Sequence, residues 1–135
     1  MEGGDKPVKL NRSGEDYLKT ILILEEQKGS VRSVDVAERL HFSRPSVSKA
    51  IRLLQEGGYL EMDPEKRLHL SALGKTVAES VNEKHSVLVE ALLAIGVAPE
   101  TAEKDACEIE HAISEEAFLR VKAFLSRWGS ARNPA

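Results

Sequence analysis

A chain of 135 residues with 30 % charged and only 4 % aromatic residues suits a mostly helical domain with room for a buried core, and its net charge of −3 argues against generic polyanion binding. No apolar run approaches the ~20 residues that span a bilayer, and the opening MEGGDKPVKLNRSG lacks the apolar centre of a secretory signal. The single cysteine excludes an internal disulfide, so a cytoplasmic, reducing location without membrane insertion is expected.

In chain order, Ser13 reads as the N-cap of a first helix, with acids such as Asp16 in its opening turn. That helix runs to Lys28 on an apolar face of Tyr17, Leu18, Ile21, Leu22 and Leu24, and Gly29 ends it. Ser33 caps a short second helix with Val34, Val36, Ala37 and Leu40 to bury. A third helix runs from Arg44 or Pro45 to Glu56: Ser43 caps it, Pro45 suits its first turn, Val47, Ile51 and Leu54 face inward, and Gly57-Gly58 stops it. YLEMDPEKRLHL alternates apolar and polar residues about Asp63-Pro64-Glu65-Lys66, which predicts a short β-hairpin. Ser71 to Ile95 reads as a long helix with Val77, Val81, Leu88, Leu92 and Ile95 on one side, ended by Gly96. Pro99 opens a helix expected to carry DACEIEHAIS, and Ser114 caps a last one with Phe118, Val121, Leu125 and Trp128 inside. GSARNPA reads as a frayed tail.

Helix, tight turn, helix and hairpin is the order of a winged helix-turn-helix. The charges agree: from Arg39 to Gln55 stand Arg39, Arg44, Lys49 and Arg52 with no acid among them. The outward side of the third helix carries Ser43, Arg44, Ser46, Ser48, Lys49 and Arg52. Short hydroxyls let such a helix lie deep in a major groove, while the cations reach phosphates or guanine edges. Lys66 and Arg67 at the hairpin tip are placed to grip a neighbouring phosphate, and Arg32 and Ser33 at the start of the second helix join the same surface. The alternatives are a helical hairpin whose basic residues only meet water, and a winged helix that binds protein.

From Glu100 to Glu116 the balance reverses, with Glu100, Glu103, Lys104, Asp105, Glu108, Glu110, Glu115 and Glu116. A helix through DACEIEHAIS sets Cys107, Glu110 and His111 on one face, with Glu103 a turn earlier. Three readings stay open on spacing alone. One is a thiolate nucleophile with His111 as its base, which no oxyanion-hole or substrate-loop signature accompanies. Another is a small core cysteine beside a solvated acidic face. The third is a metal site with oxygen, nitrogen and sulfur donors, to which Asp16 and His85 are further candidates.

Together, EDYLKTILILEEQKG, the helix-turn-helix with SRPSVSKAI, the wing followed by LSALGK, EKHSVLVEALLAIGV and ACEIEHAIS resemble the diphtheria toxin repressor family of metal-dependent transcriptional regulators. The resemblance runs from about Ser13 to Trp128 and is to the shorter manganese-transport-regulator branch. It implies a mainly α protein and not an enzyme: a winged helix-turn-helix DNA-binding domain over residues 1–72 and an all-helical metal-binding and dimerisation domain over 73–135. It further implies a homodimer that binds Fe(II) or Mn(II), then double-stranded operator DNA, and represses metal-uptake genes. Asp16, His85, Cys107, Glu110 and His111 fall on the family's ligand positions, and Ser43, Pro45, Ser46, Ser48 and Lys49 on its recognition-helix positions.

Some positions depart from the pattern. Lys19 stands where the manganese branch has a glutamate ligand, and Val89 where iron-type members carry a glutamate. Glu103 takes the place of an iron-type histidine and stays a candidate ligand for a second ion. The soft thiolate of Cys107 tilts the expectation slightly towards Fe(II). The larger iron regulators carry a further SH3-like domain, which this chain is expected to lack. The implied mechanism has Asp16, Glu103 and Glu110 repel one another until a divalent cation ties the first helix to the Cys107–His111 segment and sets two recognition helices about one DNA turn apart. Phe118, Leu125, Trp128 and the long helix are candidates for the dimer core. The competing functions are a metal-independent winged-helix regulator, a redox regulator acting through Cys107, and a metal-dependent hydrolase.

Overall fold

The computed structural model describes residues 10–132. In order, these form α1 (Arg12–Lys28), α2 (Ser33–Leu40), α3 (Arg44–Glu56), β1 (Leu60–Met62), β2 (Leu68–Leu70), α4 (Ala72–Ala94), α5 (Pro99–Ile109) and α6 (Glu115–Arg132). Mainly helical, with a helix-turn-helix and wing followed by further helices, this is the expected fold class. The chain divides between Glu79 and Ser80, within α4, into two compact units. No helix of the described residues is long and apolar enough to cross a membrane.

In the first unit, the apolar period of α1 buries Tyr17, Leu18, Ile21, Leu22 and Leu24 in one cluster with Val36, Val47, Ile51, Leu54 and Leu68. Each large aliphatic side chain so buried contributes about 1.5–3 kcal/mol. Two caps differ from expectation. Asn11, not Ser13, starts α1, its Oδ1 accepting the Gly14 N–H at 2.8 Å. Ser33 is already helical, and α2 is capped in reverse: the Asp35 carboxylate accepts the Arg32 N–H at 2.8 Å. Ser43 caps α3 as expected, accepting from the Ser46 N–H, with proline in the first turn. The hairpin pairs Leu60 with Leu70, Glu61 with His69 and Met62 with Leu68. Asp63 closes its turn by accepting the Glu65 and Arg67 N–H groups, both at 2.9 Å.

The start of α4 lies against the wing's root. The Ser71 hydroxyl accepts the Gly74 N–H and donates to the Gly58 carbonyl. A Cβ on Gly74 would stand 2.0 Å from the Tyr59 carbonyl oxygen, a fixed backbone atom. Gly74→Ala is therefore expected to destabilise the protein by about 1–3 kcal/mol, the usual cost of forced overpacking, despite the better helix propensity of alanine. Urea unfolding measures this, and an unchanged midpoint would contradict the close approach.

The second unit buries Val81, Leu88, Ala102, Ala106 and Phe118. Lys84 lies 3.7 Å from Glu115 and 5.9 Å above the Phe118 ring, and Lys122 pairs with Glu83. Ser114 caps α6 as expected, accepting the Ala117 N–H at 3.1 Å. Ile95, expected on the inner stripe of α4, is 75 % exposed, because α4 ends at Ala94 and the chain reverses at Gly96 (φ 99°). On α6, Phe118 is buried and Val121, Leu125 and Trp128 are half-buried, while Leu119 and Phe124 are exposed. Helix α6 also continues through residues 129–132, correcting the frayed-tail reading of GSARNPA there; residues 133–135 lie outside the described residues.

Candidate functional site

Two surfaces concentrate chemistry. In the first unit, burying Val47, Ile51 and Leu54 leaves Ser43, Arg44, Pro45, Ser46, Ser48, Lys49 and Arg52 of α3 exposed. The wing is stitched to the start of α2: the Leu68 N–H donates to the Val31 carbonyl at 2.7 Å, and Arg32 pairs antiparallel with Arg67. The result is a cleft of about 260 Å³ lined by Arg32, Ser33, Val34, Arg44, Ser48, Met62 and Lys66. Three cations from three elements share it and no carboxylate lines it, which suits an anionic backbone.

Arg67 is placed differently from Lys66. Its guanidinium is held within the wing, Nε 2.9 Å from Asp63 and a terminal nitrogen 2.6 Å from Glu65. Sequence reasoning placed Asp63 in the hairpin turn but not its hold on Arg67, and it missed Met62, which needs the fold to bring it into the cleft. The His69 hydrogen bond, followed by the Arg67 N–H, holds the Asp63 carboxyl far below the ordinary carboxylate range. A depressed folded-state pKa gives stability that is present above the unfolded value and lost only as pH falls through the folded one. The wing turn is thus expected to keep its amide protection from neutral pH down to about pH 4 and open only in stronger acid. Amide exchange at Glu65 and Arg67 reports this, and protection already lost near about pH 5 would contradict it.

In the second unit, α5 ends at Ile109, earlier than expected, so Cys107 is helical, Glu110 is the C-cap and His111 lies in the following turn. Glu110 keeps helical dihedrals (φ −57°, ψ −28°) and donates its N–H to the Ala106 carbonyl, so it still follows Cys107 by one turn. The Ala112 and Ile113 N–H groups both fold onto the Ile109 carbonyl and close that turn. His111 Nε2 then lies 3.3 Å from Glu110 Oε2.

From α4, His85 enters this group. Its Nδ1 is 2.8 Å from Glu110 Oε1 and 3.8 Å from Cys107 Sγ, while its Nε2 is 2.8 Å from Glu103 Oε2. One donor atom from each of His85, Cys107 and Glu110 lies within 4.8 Å of the others. Glu110 is 2 % exposed, and burying a carboxylate is costly unless charge or hydrogen bonding compensates. Imidazole nitrogen, thiolate sulfur and carboxylate oxygen converging at this range form a donor set that fits a divalent first-row transition metal. Asp16 sits half-buried on α1, in the first unit.

Residues 9–68 match the family of the iron dependent repressor N-terminal DNA binding domain, and residues 71–130 that of the iron dependent repressor metal binding and dimerisation domain. The chain is 36 % identical over 116 residues to the transcriptional regulator MntR of Escherichia coli O6:H1, covering 86 % of this chain and 75 % of that one. It is similar to the solved structure of the manganese regulator SloR, with a TM-score of 0.74, 26 % identity, and coverage of 88 % of this chain and 55 % of that one. T. acidophilum IdeR gives a TM-score of 0.71 at 28 % identity, covering 90 % of this chain and 55 % of that one. The chain therefore spans little more than half the length of those two structures.

Proposed function

The chain belongs to the iron-dependent repressor family, that of the diphtheria toxin repressor and the MntR regulators, and from that premise we propose that it is a metal-dependent transcriptional repressor of metal-homeostasis genes. It binds operator DNA as a homodimer in the cytoplasm and catalyses no reaction. The observation that carries the effector half is the convergence of His85 from α4 with Cys107 and Glu110. Those three and the adjacent His111 are the ligands, with Asp16 added on the sequence pattern. Fe(II) or Mn(II) there supplies positive charge that offsets the carboxylate and thiolate.

On the DNA side, Arg32, Arg44 and Lys66 take backbone phosphates and Ser33 lies beside them, while Ser43, Pro45, Ser46, Ser48 and Lys49 face the groove. Arg52 adds charge further along α3, and Arg67 contributes mainly by holding the wing turn. Functional domains of residues 1–72 and 73–135 are supported by family matches that meet between residues 68 and 71. Exposed Leu119 and Phe124, with half-buried Leu125 and Trp128 on the same helix, favour self-association through α6. Linkage requires DNA to tighten metal binding by the factor with which metal tightens DNA binding.

Asp16→Ala tests the coupling. The variant is expected to bind metal through the second-unit donors yet lose the metal-induced gain in operator affinity, read by fluorescence anisotropy against metal titration. A wild-type response would remove Asp16 from the mechanism.

A further inference from the structure

The two edges of the His85 ring meet different surroundings. At the Nδ1 edge stand Glu110 Oε1 at 2.8 Å and Cys107 Sγ at 3.8 Å, with Glu110 buried. At the Nε2 edge stands Glu103 Oε2, at 2.8 Å, on a side chain that is 61 % exposed. Resting on the metal-binding reading above, we propose that Glu103 is a positioning residue and not a ligand: it accepts the Nε2–H of His85 and so directs the Nδ1 lone pair to the metal shared with Cys107 and Glu110.

A neutral imidazole has one N–H and one lone pair, and an ionised carboxylate only accepts. Placing the lone pair at Nδ1 serves both edges: the ion gains nitrogen beside sulfur and buried oxygen, and Glu103 receives a hydrogen bond. The reverse tautomer offers an ion one exposed carboxylate and leaves the Cys107–Glu110 side without its nitrogen. Helix spacing builds the arrangement, since Glu103 and Cys107 stand one turn apart on α5 and reach opposite edges of the same ring. A carboxylate behind a metal-bound histidine fixes tautomer and ring orientation, and loss of such a partner typically costs 10–100-fold in metal affinity. Glu103 therefore adds no ion of its own, although its position in the acidic run reads as a ligand.

The test is anaerobic Co(II) titration of the full chain, with the thiolate–cobalt charge-transfer band reporting Cys107 and chelator competition giving affinity. Glu103→Ala is expected to weaken Co(II) binding at the thiolate site about 10–100-fold, with the number of ions per chain unchanged. Glu103→Gln, whose amide oxygen still accepts from Nε2–H, is expected to recover most of that affinity and the wild-type band. The proposal is overturned if Glu103→Ala loses an ion while the rest bind as before, if it binds like wild type, or if Glu103→Gln is as weak as the alanine variant. Wild-type protein with no thiolate–cobalt band would instead overturn the metal-binding reading of Cys107 itself, and this proposal with it.

Discussion

Glu110→Ala is expected to lower divalent-metal affinity by roughly two to three orders of magnitude and to abolish metal-dependent operator binding. The Glu110 side chain has no exposed surface, and its two oxygens face two imidazoles, His85 at 2.8 Å and His111 at 3.3 Å. Removing one partner from a buried charged group costs about 3–5 kcal/mol, and each 1.4 kcal/mol is tenfold. Glu110→Gln separates charge from shape, because it keeps the volume and an acceptor. It should lose the metal response while thermal unfolding of the metal-free protein changes little. Chelator competition and anisotropy measure both variants, and a normal metal response in Glu110→Gln would make the carboxylate a structural group.

The triple variant Arg32→Ala, Arg44→Ala, Lys66→Ala is expected to bind operator and random DNA more weakly alike. These cations line one cleft from the N-cap of α2, from α3 and from the wing. Each phosphate contact removed takes about 0.9 from the slope of log affinity against log salt, so the slope should flatten by roughly 2–3 per subunit. Metal affinity in the absence of DNA should not move. Lys49→Ala, on the exposed side of α3, should instead erode discrimination between operator and random DNA. An unchanged salt slope in the triple variant would show that the cleft does not hold phosphate.

Local rules sufficed wherever one element determined the outcome. Ser43 and Pro45 place the start of α3 without help from the fold, and the period of Leu18, Ile21 and Leu22 gives the buried face of α1. They failed where two local solutions compete: Asn11 and Ser13 are comparable caps, and Leu10 packed against Gly14 settles the entry two residues earlier. The close spacing of Cys107, Glu110 and His111 made them legible as a donor group, but not the turn that places His111 outside α5. The different surroundings of the two His85 edges depend on a side chain of α4 meeting side chains of α5 and the turn after it, a relation no local pattern carries. The basic cleft likewise depends on the hydrogen bond from Leu68 to Val31, which brings Lys66 of the wing near Arg32.

The most direct measurement is binding to the promoter DNA of the protein's own gene, first in chelator and then in anaerobic Fe(II) or Mn(II). Tight binding that appears only with metal, and disappears in Glu110→Ala, is the predicted result. Equally tight binding in chelator would contradict metal control and leave a metal-blind winged-helix regulator.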